Sequence, residues 1–451
     1  MKSRGRAVDT ITILLASLGL AAACTKPNPT SCKDNFCSDP SLPFCDADGS
    51  ISGEPGTCIA VACTAGQFET CRDDRAVVCN ATGDDYDVVQ CENGCSLEEA
   101  GCRACPVGME TCTPTTHIVP KYLPDVCDQA ATEASLTVSS STEIDTSVDA
   151  QCTGGIVAQS SGPAICLLRH GSITVTQTGI LKTKGTRALA LVADDAMTIA
   201  GTLDLSADTF IHGPAGGTVF SPFVQHPTGN GGAGFRSPGG AGGTTTVDGG
   251  AANGGSIAID PAELEMLVGG ARGAGLAAGG GAGGAATLIS CRGTVSILGI
   301  VDANGGGGAG GHTDLAGTGV NAAAGGGTGG YVVLQGRAIT ITGELYANGG
   351  GGGGGFSTGG GTFGSVGADG QRSTATPADG GIGVNGAGAG GAGGIANIAP
   401  GVGKKSSTAG AGAGGGSVGF LQTYTPPGVQ PLITPSAASP SFQANRNISL
   451  R

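Results

Sequence analysis

One phrase occurs four times in this chain and constrains its fold more than any other feature: a short alternating strand, a glycine and a second short strand. The clearest copy begins at Ile339, passes Gly343 and continues to Leu345 and Asn348. The earlier copies begin at Ile173, Met197 and Val295, with their glycines at Gly179, Gly201 and Gly299. Alternation of apolar and polar residues predicts a β-strand, and glycine permits the bend between two strand pieces.

Each copy has an apolar face that it cannot bury alone, so the copies are expected to stack on one another. Stacking in register would place Ile297 beside Ile341 and Asn304 beside Asn348. We therefore predict a mainly β fold, namely a right-handed single-stranded parallel β-helix over residues 128–425. A β-sandwich or barrel is the alternative, and the repeated glycine, apolar and Asn-Gly positions argue against it.

Long glycine-rich insertions interrupt the repeats at about 209–284, 306–328 and 350–414. Glycine accounts for 89 of the 451 residues, against an ordinary share of about 7%. Because glycine loses more conformational entropy on ordering than any other residue, these segments are predicted to be long flexible loops. The alternative is that they pack as polyglycine helices on one face of the solenoid. Residues 426–451, which are rich in proline, are predicted to be a disordered tail.

The N-terminus has the three parts of a secretory signal: basic residues, an apolar stretch and small residues before a cysteine. We predict a signal peptide over residues 1–23 and lipidation of Cys24, with 24–31 as a lipid-anchored tether. Ordinary cleavage after Ala23 is the alternative. Thr25, in the place where some lipoproteins have aspartate, predicts the outer membrane or the cell surface as the location of the exported chain.

Cysteines are concentrated over residues 32–127, where few apolar residues separate them, which predicts small disulfide-rich modules at 32–58 and 63–105. The cysteines predicted to form disulfides are Cys32, Cys37, Cys45, Cys58, Cys63, Cys71, Cys79, Cys91, Cys95, Cys102, Cys105, Cys112, Cys127 and Cys152. Cys127 is predicted to pair with Cys152, and the other pairings stay open. The last cysteines of the second module, from Cys91 to Cys105, have spacings that a zinc site would also use, but export favours disulfides.

Parallel β-helices that act on polysaccharides need paired carboxylates on one face. The charges on the predicted strand faces are sparse: Asp194, Asp195, Asp204, Asp302, Glu344, Arg292 and Arg337. Asp302 and Glu344 fall at different repeat positions, so they are not expected to stack. No catalytic residue, metal site or cofactor is predicted. Asp46 and Asp48 before Gly49 hint at a calcium loop, for which a solvated acidic loop is the alternative.

The whole assembly resembles a group of secreted, cysteine-rich and glycine-rich lipoproteins of myxobacteria. The likeness rests on residues 43–50 (PFCDADGS) with 55–58 (PGTC), and on residues 188–193 (ALALVA) with the repeats and glycine runs. It covers most of residues 32–424. The resemblance implies this architecture and carries no activity with it.

Together these features predict a lipid-anchored cell-surface protein with a structural or adhesive role and no catalytic activity. The expected partners are the membrane, through the lipid, and a polysaccharide or a cell-surface protein. Nucleic acid is not expected, because a chain with a net charge of −13 repels phosphates. Two alternatives stay open. One is a polysaccharide lyase or hydrolase, which an aligned acidic pair in a groove would favour. The other is a cysteine-rich protein-binding module on a solenoid spacer.

Overall fold

The computed structural model divides the chain into two compact units, residues 1–113 and 114–451. The residues described are 31–32, 37–39, 41–47, 49, 51–52, 54–60, 63, 67–73, 75–80, 85–91, 94–97, 101–102, 116–128, 131, 134–217, 219–220, 229–245, 254–255, 265–275, 279–313, 320–357, 363–407, 410–434 and 438–451. Cys24, Cys105, Cys112 and the proposed signal peptide lie outside them, so the predictions made for those residues stay predictions. None of the described segments forms a helix long and apolar enough to cross a membrane.

The first unit consists of small antiparallel sheets. Its strands are β1 (Phe44–Asp46), β2 (Thr57–Ile59), β3 (Phe68–Arg72), β4 (Arg75–Cys79), β5 (Tyr86–Gln90), β6 (Cys95–Ser96) and β7 (Gly101–Cys102). β1 pairs with β2, β3–β4–β5 form a three-stranded sheet, and β6 pairs with β7. Such short strands bury little apolar area, so this unit depends on covalent links.

The predicted disulfide framework is confirmed for the described cysteines of this unit. The bonds are Cys32–Cys45, Cys37–Cys58, Cys63–Cys79, Cys71–Cys95 and Cys91–Cys102. The first two bonds close residues 32–58 on themselves, and the other three close 63–102, which agrees with two modules. Since Cys91, Cys95 and Cys102 are all in disulfides, their thiolates are not free to bind zinc.

The second unit contains the strands of the repeats. The first of them are β8 (Leu136–Val138), β9 (Ser141–Asp145), β10 (Gly155–Val157), β11 (Ile165–His170), β12 (Ile173–Val175), β13 (Ile180–Lys184), β14 (Ala188–Ala193), β15 (Met197–Ile199), β16 (Thr202–Asp204), β17 (Val219–Phe220) and β18 (Ala271–Arg272), with a 3-10 helix at Asp149–Gln151. The rest are β19 (Ala285–Ser290), β20 (Thr294–Ile297), β21 (Ile300–Asp302), β22 (His312–Thr313), β23 (Val320–Asn321), β24 (Tyr331–Gln335), β25 (Ala338–Ile341), β26 (Glu344–Tyr346), β27 (Phe420–Thr425), β28 (Leu432–Ile433), β29 (Ala438–Ser439) and β30 (Arg446–Asn447).

Most of these strands form three sheets. Sheet A has the order β10-β11-β14-β19-β24-β27-β30, sheet B has β28-β25-β20-β15-β12-β8, and sheet C has β29-β26-β21-β16-β13-β9. Successive strands such as β11, β12 and β13 therefore enter sheets A, B and C in turn, and the next three strands repeat the cycle. All pairs in these sheets are parallel except β10 with β11.

The register predicted from the repeated phrase is confirmed. The starts of the copies pair in sequence, with Met197 between Ile173 and Val295, and Ile339 beyond Val295. Ile297 lies beside Ile341. The backbone N–H of Asn348 donates to Asn304 Oδ1 at 2.7 Å, so the two asparagines stack as expected.

The two faces of sheet A explain its sequence. In sheet B, β12 alternates between buried and half-buried residues, as a sheet with one core face should. In sheet A, all six residues of β14 are buried. One face of sheet A joins the core between the three sheets, and its other face contacts residues 116–127 and side chains from the glycine-rich segments, including Phe235 and Leu267. Burial on both faces accounts for the continuous run Ala-Leu-Ala-Leu-Val-Ala.

The prediction of a disordered tail over 426–451 is wrong. β28 pairs with β25, β29 pairs with β26, and β30 pairs with β27, so the tail adds a strand to each of the three sheets. The described prolines of the tail lie outside these two-residue strands, where they remove no ladder hydrogen bond.

The boundary at 127 and the bond between Cys127 and Cys152 are also wrong. Cys127 bonds Cys291, and Cys152 bonds Cys166. Residues 116–128, which we call the covering segment, belong to the second unit and pack on the outer face of sheet A. Spacing along the chain favours near partners, whereas the fold brings Cys127 to a cysteine 164 residues away.

Candidate binding surface on a layer of glycine helices

The glycine-rich segments are ordered as extended helices with a period of three residues. In residues 347–356, Gly349, Gly352 and Gly355 donate their N–H groups to one neighbouring segment, at the carbonyls of Gly394, Gly391 and Gly388, over 2.8–2.9 Å. Successive donors are three residues apart, and so are successive acceptors. A three-residue turn without a ladder of its own is the geometry of the polyproline II family. We call such segments glycine helices.

The glycine helix 347–356 is surrounded by six others. Its N–H groups reach three neighbours, and its carbonyls accept from three more. The donor side contacts 324–327, 365–368 and 388–394, and the acceptor side contacts 305–311, 381–384 and 410–416. This is hexagonal packing, in which the backbone groups find partners on every side, as buried backbone must. The prediction of flexible loops is therefore wrong for the described residues, and its alternative, packed polyglycine helices, is what the structure shows.

Glycine is required in this packing for a steric reason. A Cβ added to Gly353 would lie 2.0 Å from the Ala309 oxygen, and one added to Gly355 would lie 2.0 Å from the Gly410 oxygen. Both atoms belong to the backbone of a neighbour, so no side-chain rotation relieves the contact. Neighbouring helices approach this closely because they have no side chains between them, and this close approach permits the hydrogen bonds.

The outermost described glycine helices form a continuous layer, which we call the outer layer. It consists of residues 363–370, 378–384, 387–394 and 400–406, each hydrogen-bonded to the next. Ala368 N–H donates to the Asp379 carbonyl at 2.8 Å, and Lys404 N–H donates to the Ala389 carbonyl at 2.7 Å. Backbone links along its length fix the layer as a rigid surface.

Apolar side chains project from this layer. Phe363 and Val366 are three residues apart and so lie on the same side of their helix. Phe363 is 61% exposed and Ile382, on the adjoining helix, is 71% exposed. Val402 on the fourth helix is exposed as well. These exposed apolar residues make the outer layer a candidate interaction surface.

A second candidate is a column of charges on sheet C. Asp204 lies beside Asp302, and Asp302 lies beside Tyr346. Glu344 pairs with Ile300, so Asp302 and Glu344 do not stack, as predicted. The sequence analysis missed the pairing of Asp204 with Asp302. The signal was present, because each aspartate stands three residues after the glycine of its repeat.

The environment of Asp302 differs from that of Asp204. Asp302 is buried, its Oδ2 accepts from Arg372 Nε at 2.6 Å, and its Oδ1 accepts from Asn304 N–H at 3.0 Å. Burial raises the pKa of Asp302, although Arg372 acts in the opposite direction. Asp204 Oδ1 accepts from the Ser206 hydroxyl at 2.6 Å. The two carboxylates thus lie side by side on sheet C, but the Asp302 carboxylate already forms an ion pair with Arg372.

The remaining predicted strand charges hold the covering segment and its surroundings in place. Arg292 donates to the Cys127 carbonyl at 2.9 Å, and Arg337 donates to the Thr116 hydroxyl at 2.8 Å. Asp194 lies 3.0 Å from Arg169. These groups are structural contacts of the second unit and form no shared site with Asp302.

The loop at Asp46, where the sequence hinted at calcium and a solvated acidic loop was the alternative, is organised around a buried carboxylate. Asp46 is fully buried, and its Oδ2 accepts from Ser52 N–H at 2.6 Å and from Ile51 N–H at 3.1 Å. Its Oδ1 lies 3.4 Å from Arg72. In the described chain, the one cluster with metal-ligand spacing comprises Cys32, Cys37 and Cys58, and all three are in disulfides.

Comparisons with protein-family models, with curated proteins and with solved structures gave no match. Inferences about function therefore rest on the geometry of this chain.

Proposed function

We propose that this chain is an exported, lipid-anchored cell-surface protein with an adhesive role and no catalytic activity. The three sheets would wind as a right-handed single-stranded parallel β-helix, and this core would carry the outer layer as a rigid contact surface. The disulfides are those of an exported protein. The resemblance to myxobacterial lipoproteins is part of the same proposal, as is an outer-membrane or cell-surface location.

The observation that supports adhesion is the exposure of Phe363, Val366, Ile382 and Val402 on the outer layer. Leaving such side chains in water forgoes about 1.5–3 kcal/mol each relative to full burial. A partner that covers the layer would recover part of that free energy. Many copies on one cell would add weak contacts into strong adhesion. The proposed partner is a polysaccharide or a protein on another surface.

Adhesion is tested with beads that carry the mature chain, presented to cells coated with extracellular polysaccharide. The double variant Phe363→Ser, Ile382→Ser is expected to lose most bead adhesion. Leu97→Ser is the matched control, because Leu97 is 68% exposed but lies in the disulfide-rich unit. Equal adhesion of the double variant and the native chain would overturn the proposal. Loss with Leu97→Ser alone would favour a protein-binding role for the cysteine-rich modules.

The lipid anchor is tested by incorporation of labelled palmitate into cells that express the native chain or Cys24→Ala. The proposal expects label and membrane association for the native chain, and loss of both for Cys24→Ala. If the two chains behave alike, Cys24 carries no lipid and the protein is not a lipoprotein.

The alternative function, cleavage of polysaccharide, is favoured by one observation, the register of Asp204 with Asp302. Two neighbouring carboxyl groups, one of them with a pKa that burial raises, resemble the pair that a glycosidase uses. Arg372 and the burial of Asp302 oppose it. Release of reducing ends from a polysaccharide by the native chain, abolished by Asp302→Asn, would replace the adhesive proposal with an enzymatic one.

A further inference from the structure

A cleft of about 660 Å³ opens at one end of sheet C, away from the residues that define the outer layer. One wall comes from the ends of β9 and β13, and the other comes from a loop at 208–217. Its lining includes Asp145, Lys184, Thr186, Phe210, Ile211 and His212. A volume in this range suits a small ligand, since ligand pockets measure about 300–1,000 Å³.

Hydrogen bonds within the loop 208–211 place Phe210 at an exposed tip. Asp208 Oδ1 accepts from Phe210 N–H at 2.7 Å and from Ile211 N–H at 2.8 Å. Asp208 N–H in turn donates to the Ile211 carbonyl at 3.0 Å. Phe210 is 74% exposed at the tip of this closed turn. A turn whose backbone is held in this way presents the Phe210 ring to solvent as an exposed apolar surface.

The same loop is anchored to the glycine helices behind it. Gly213 N–H donates to the Ala282 carbonyl at 3.0 Å, and Ala282 N–H donates to His212 Nδ1 at 3.0 Å. Since Nδ1 accepts a hydrogen bond, the ring proton of neutral His212 is on Nε2, which is a donor. Burial lowers the pKa of His212 and favours this neutral form.

The opposite wall supplies both hydrogen-bond donors and hydrogen-bond acceptors. Lys184 Nζ lies 2.6 Å from Glu143, and Asp145 Oδ1 accepts from Ser147 N–H at 2.9 Å. Thr186 N–H donates to Ser147 Oγ at 2.9 Å, and the same Ser147 Oγ lies 3.3 Å from the Thr186 hydroxyl and helps to position it. Ammonium, hydroxyl and carboxylate groups therefore line one wall, while Phe210 and Ile211 line the other.

We propose that this cleft binds a neutral polysaccharide through one or two of its sugar rings. A sugar ring has an apolar C–H face, which can pack on the Phe210 ring, and hydroxyl groups that both donate and accept. Asp145 would accept from hydroxyls, and Lys184 and the Nε2–H of His212 would donate. Glu143 lies against Lys184 and offsets its charge, so the carboxylate of Asp145 disfavours an anionic glycan, because like charges would meet in the cleft.

This site is separate from the outer layer, so it goes beyond the adhesive proposal and can fail independently of it. If both hold, the cleft would give the chain a preference for sugars, and the outer layer would supply less selective contact.

The test is titration of the oxidised, full mature chain with neutral gluco-, manno- and galacto-oligosaccharides, monitored by calorimetry. We expect at least one of them to bind, and Phe210→Ala to weaken its affinity at least tenfold. Leu432→Ala is the matched control, because it removes a 63% exposed apolar side chain that belongs to neither the cleft lining nor the outer layer, and it should change affinity less than twofold. Asp208→Asn, which weakens the turn but keeps the ring, should lie between the two.

Folding is checked for every variant by its thermal unfolding curve, and Phe210→Leu keeps the comparison valid if Phe210→Ala unfolds. The proposal is overturned if no neutral oligosaccharide binds, if only acidic oligosaccharides bind, or if Phe210→Ala and Phe210→Leu bind as the native chain does. Equal loss with Leu432→Ala would show that the loss is not specific to the cleft and would also overturn the proposal.

Discussion

At the scale of single residues, the packed glycine helices require glycine wherever the backbone of a neighbouring helix lies close. Gly353 lies in the central glycine helix, where its N–H donates to the Ala324 carbonyl at 2.9 Å. A Cβ at this position would meet the Ala309 oxygen at 2.0 Å. The backbone of a whole helix would have to move to make room for one methyl group.

We predict that Gly353→Ala destabilises the second unit by about 3 kcal/mol or more, since overpacking costs about 1–3 kcal/mol even in cores that can adjust. In a flexible loop the same change would be neutral or would stabilise by about 0.4–1 kcal/mol, because alanine restricts the unfolded chain. A fall in the free energy of unfolding therefore supports packed glycine helices, and no change or a rise supports a flexible loop. Denaturant unfolding measures it, with the half-buried Ala389→Ser as control. An unchanged midpoint for Gly353→Ala would contradict the packing described.

His212 gives a prediction about pH. Burial, with Arg272 adding to it, holds the pKa of His212 below the ordinary value of about 6.5. The unfolded chain therefore binds a proton more readily than the folded chain. The stability that His212 contributes is present above pH 6.5 and is lost as pH falls towards its lowered pKa.

The native chain should accordingly lose more thermal stability between pH 7 and pH 5 than His212→Gln does. Melting temperatures of the two chains across this range measure the difference. Parallel curves would show that His212 titrates alike in the folded and unfolded states.

The contacts of single residues were predictable from the sequence where the repeated phrase aligns them. The stacking of Asn304 on Asn348 follows from equal offsets after the repeat glycines. The role of Gly353 does not follow, because its neighbours Ala309 and Ala324 come from another glycine-rich insertion and no local pattern aligns them.

At the scale of elements, the column of charges on sheet C links strand β21 to the segment that follows the first helix of the outer layer. Asp302 on β21 meets Arg372, which follows a helix of the outer layer. Burial raises the pKa of Asp302 above its ordinary value. The folded chain then binds a proton more readily than the unfolded chain. The contribution of Asp302 to stability is full below the unfolded pKa of about 3.9 and declines as pH rises through the raised value.

The melting temperature of the native chain minus that of Asp302→Asn should therefore fall as pH rises from 3 to 7. Asp379→Asn, at an exposed residue of the outer layer, is the matched control. A difference that grows with pH would mean that Arg372, not burial, dominates the environment of Asp302.

The covering segment is held to sheet A by three phenols. Tyr122 Oη lies 2.8 Å from Tyr331 Oη and 3.3 Å from Tyr424 Oη. Burial raises the pKa of both Tyr122 and Tyr331, so these two phenols remain protonated and hydrogen-bonded through the neutral range. Gln335 adds a further link, because its Oε1 accepts from Lys121 N–H at 2.7 Å.

Tyr122→Phe should destabilise the second unit by about 1 kcal/mol, the usual net worth of a hydrogen bond, or more if a buried hydroxyl is left without a partner. Unfolding of the second unit measures this effect. Tyr86→Phe in the disulfide-rich unit serves as control and should leave it unchanged. No loss with Tyr122→Phe would mean that the segment is held by its apolar contacts and the Cys127–Cys291 bond alone.

The strands of sheets B and C were predictable because alternation and glycine repeat within each copy. The covering segment was not, since Tyr122 meets partners 209 and 302 residues away in sequence. The tail was misjudged for a related reason. Its strands are two residues long, so no periodicity can show in them, and only the ladders of the preceding repeats place them.

At the scale of the whole molecule, the two units stabilise themselves by different means. The first relies on disulfides between short strands. The second relies on stacked aliphatic layers and on a hydrogen-bonded lattice of glycine helices with little apolar content. The N-terminal signal and the cysteines predicted export, and the repeated phrase predicted the β core. The glycine content favoured disorder, because a sequence shows the entropy cost of ordering glycine but not the partners that each glycine helix finds in the folded chain.

The most direct test of this account is amide hydrogen exchange in the oxidised mature chain, read from peptides that cover residues 347–356 and 331–335. The account predicts that the glycine helix is protected to a degree comparable with β24, since its N–H groups are buried and donate to neighbouring carbonyls. Exchange of 347–356 at the rate of an unstructured peptide, with β24 still protected, would contradict the bundle and the outer layer that depends on it.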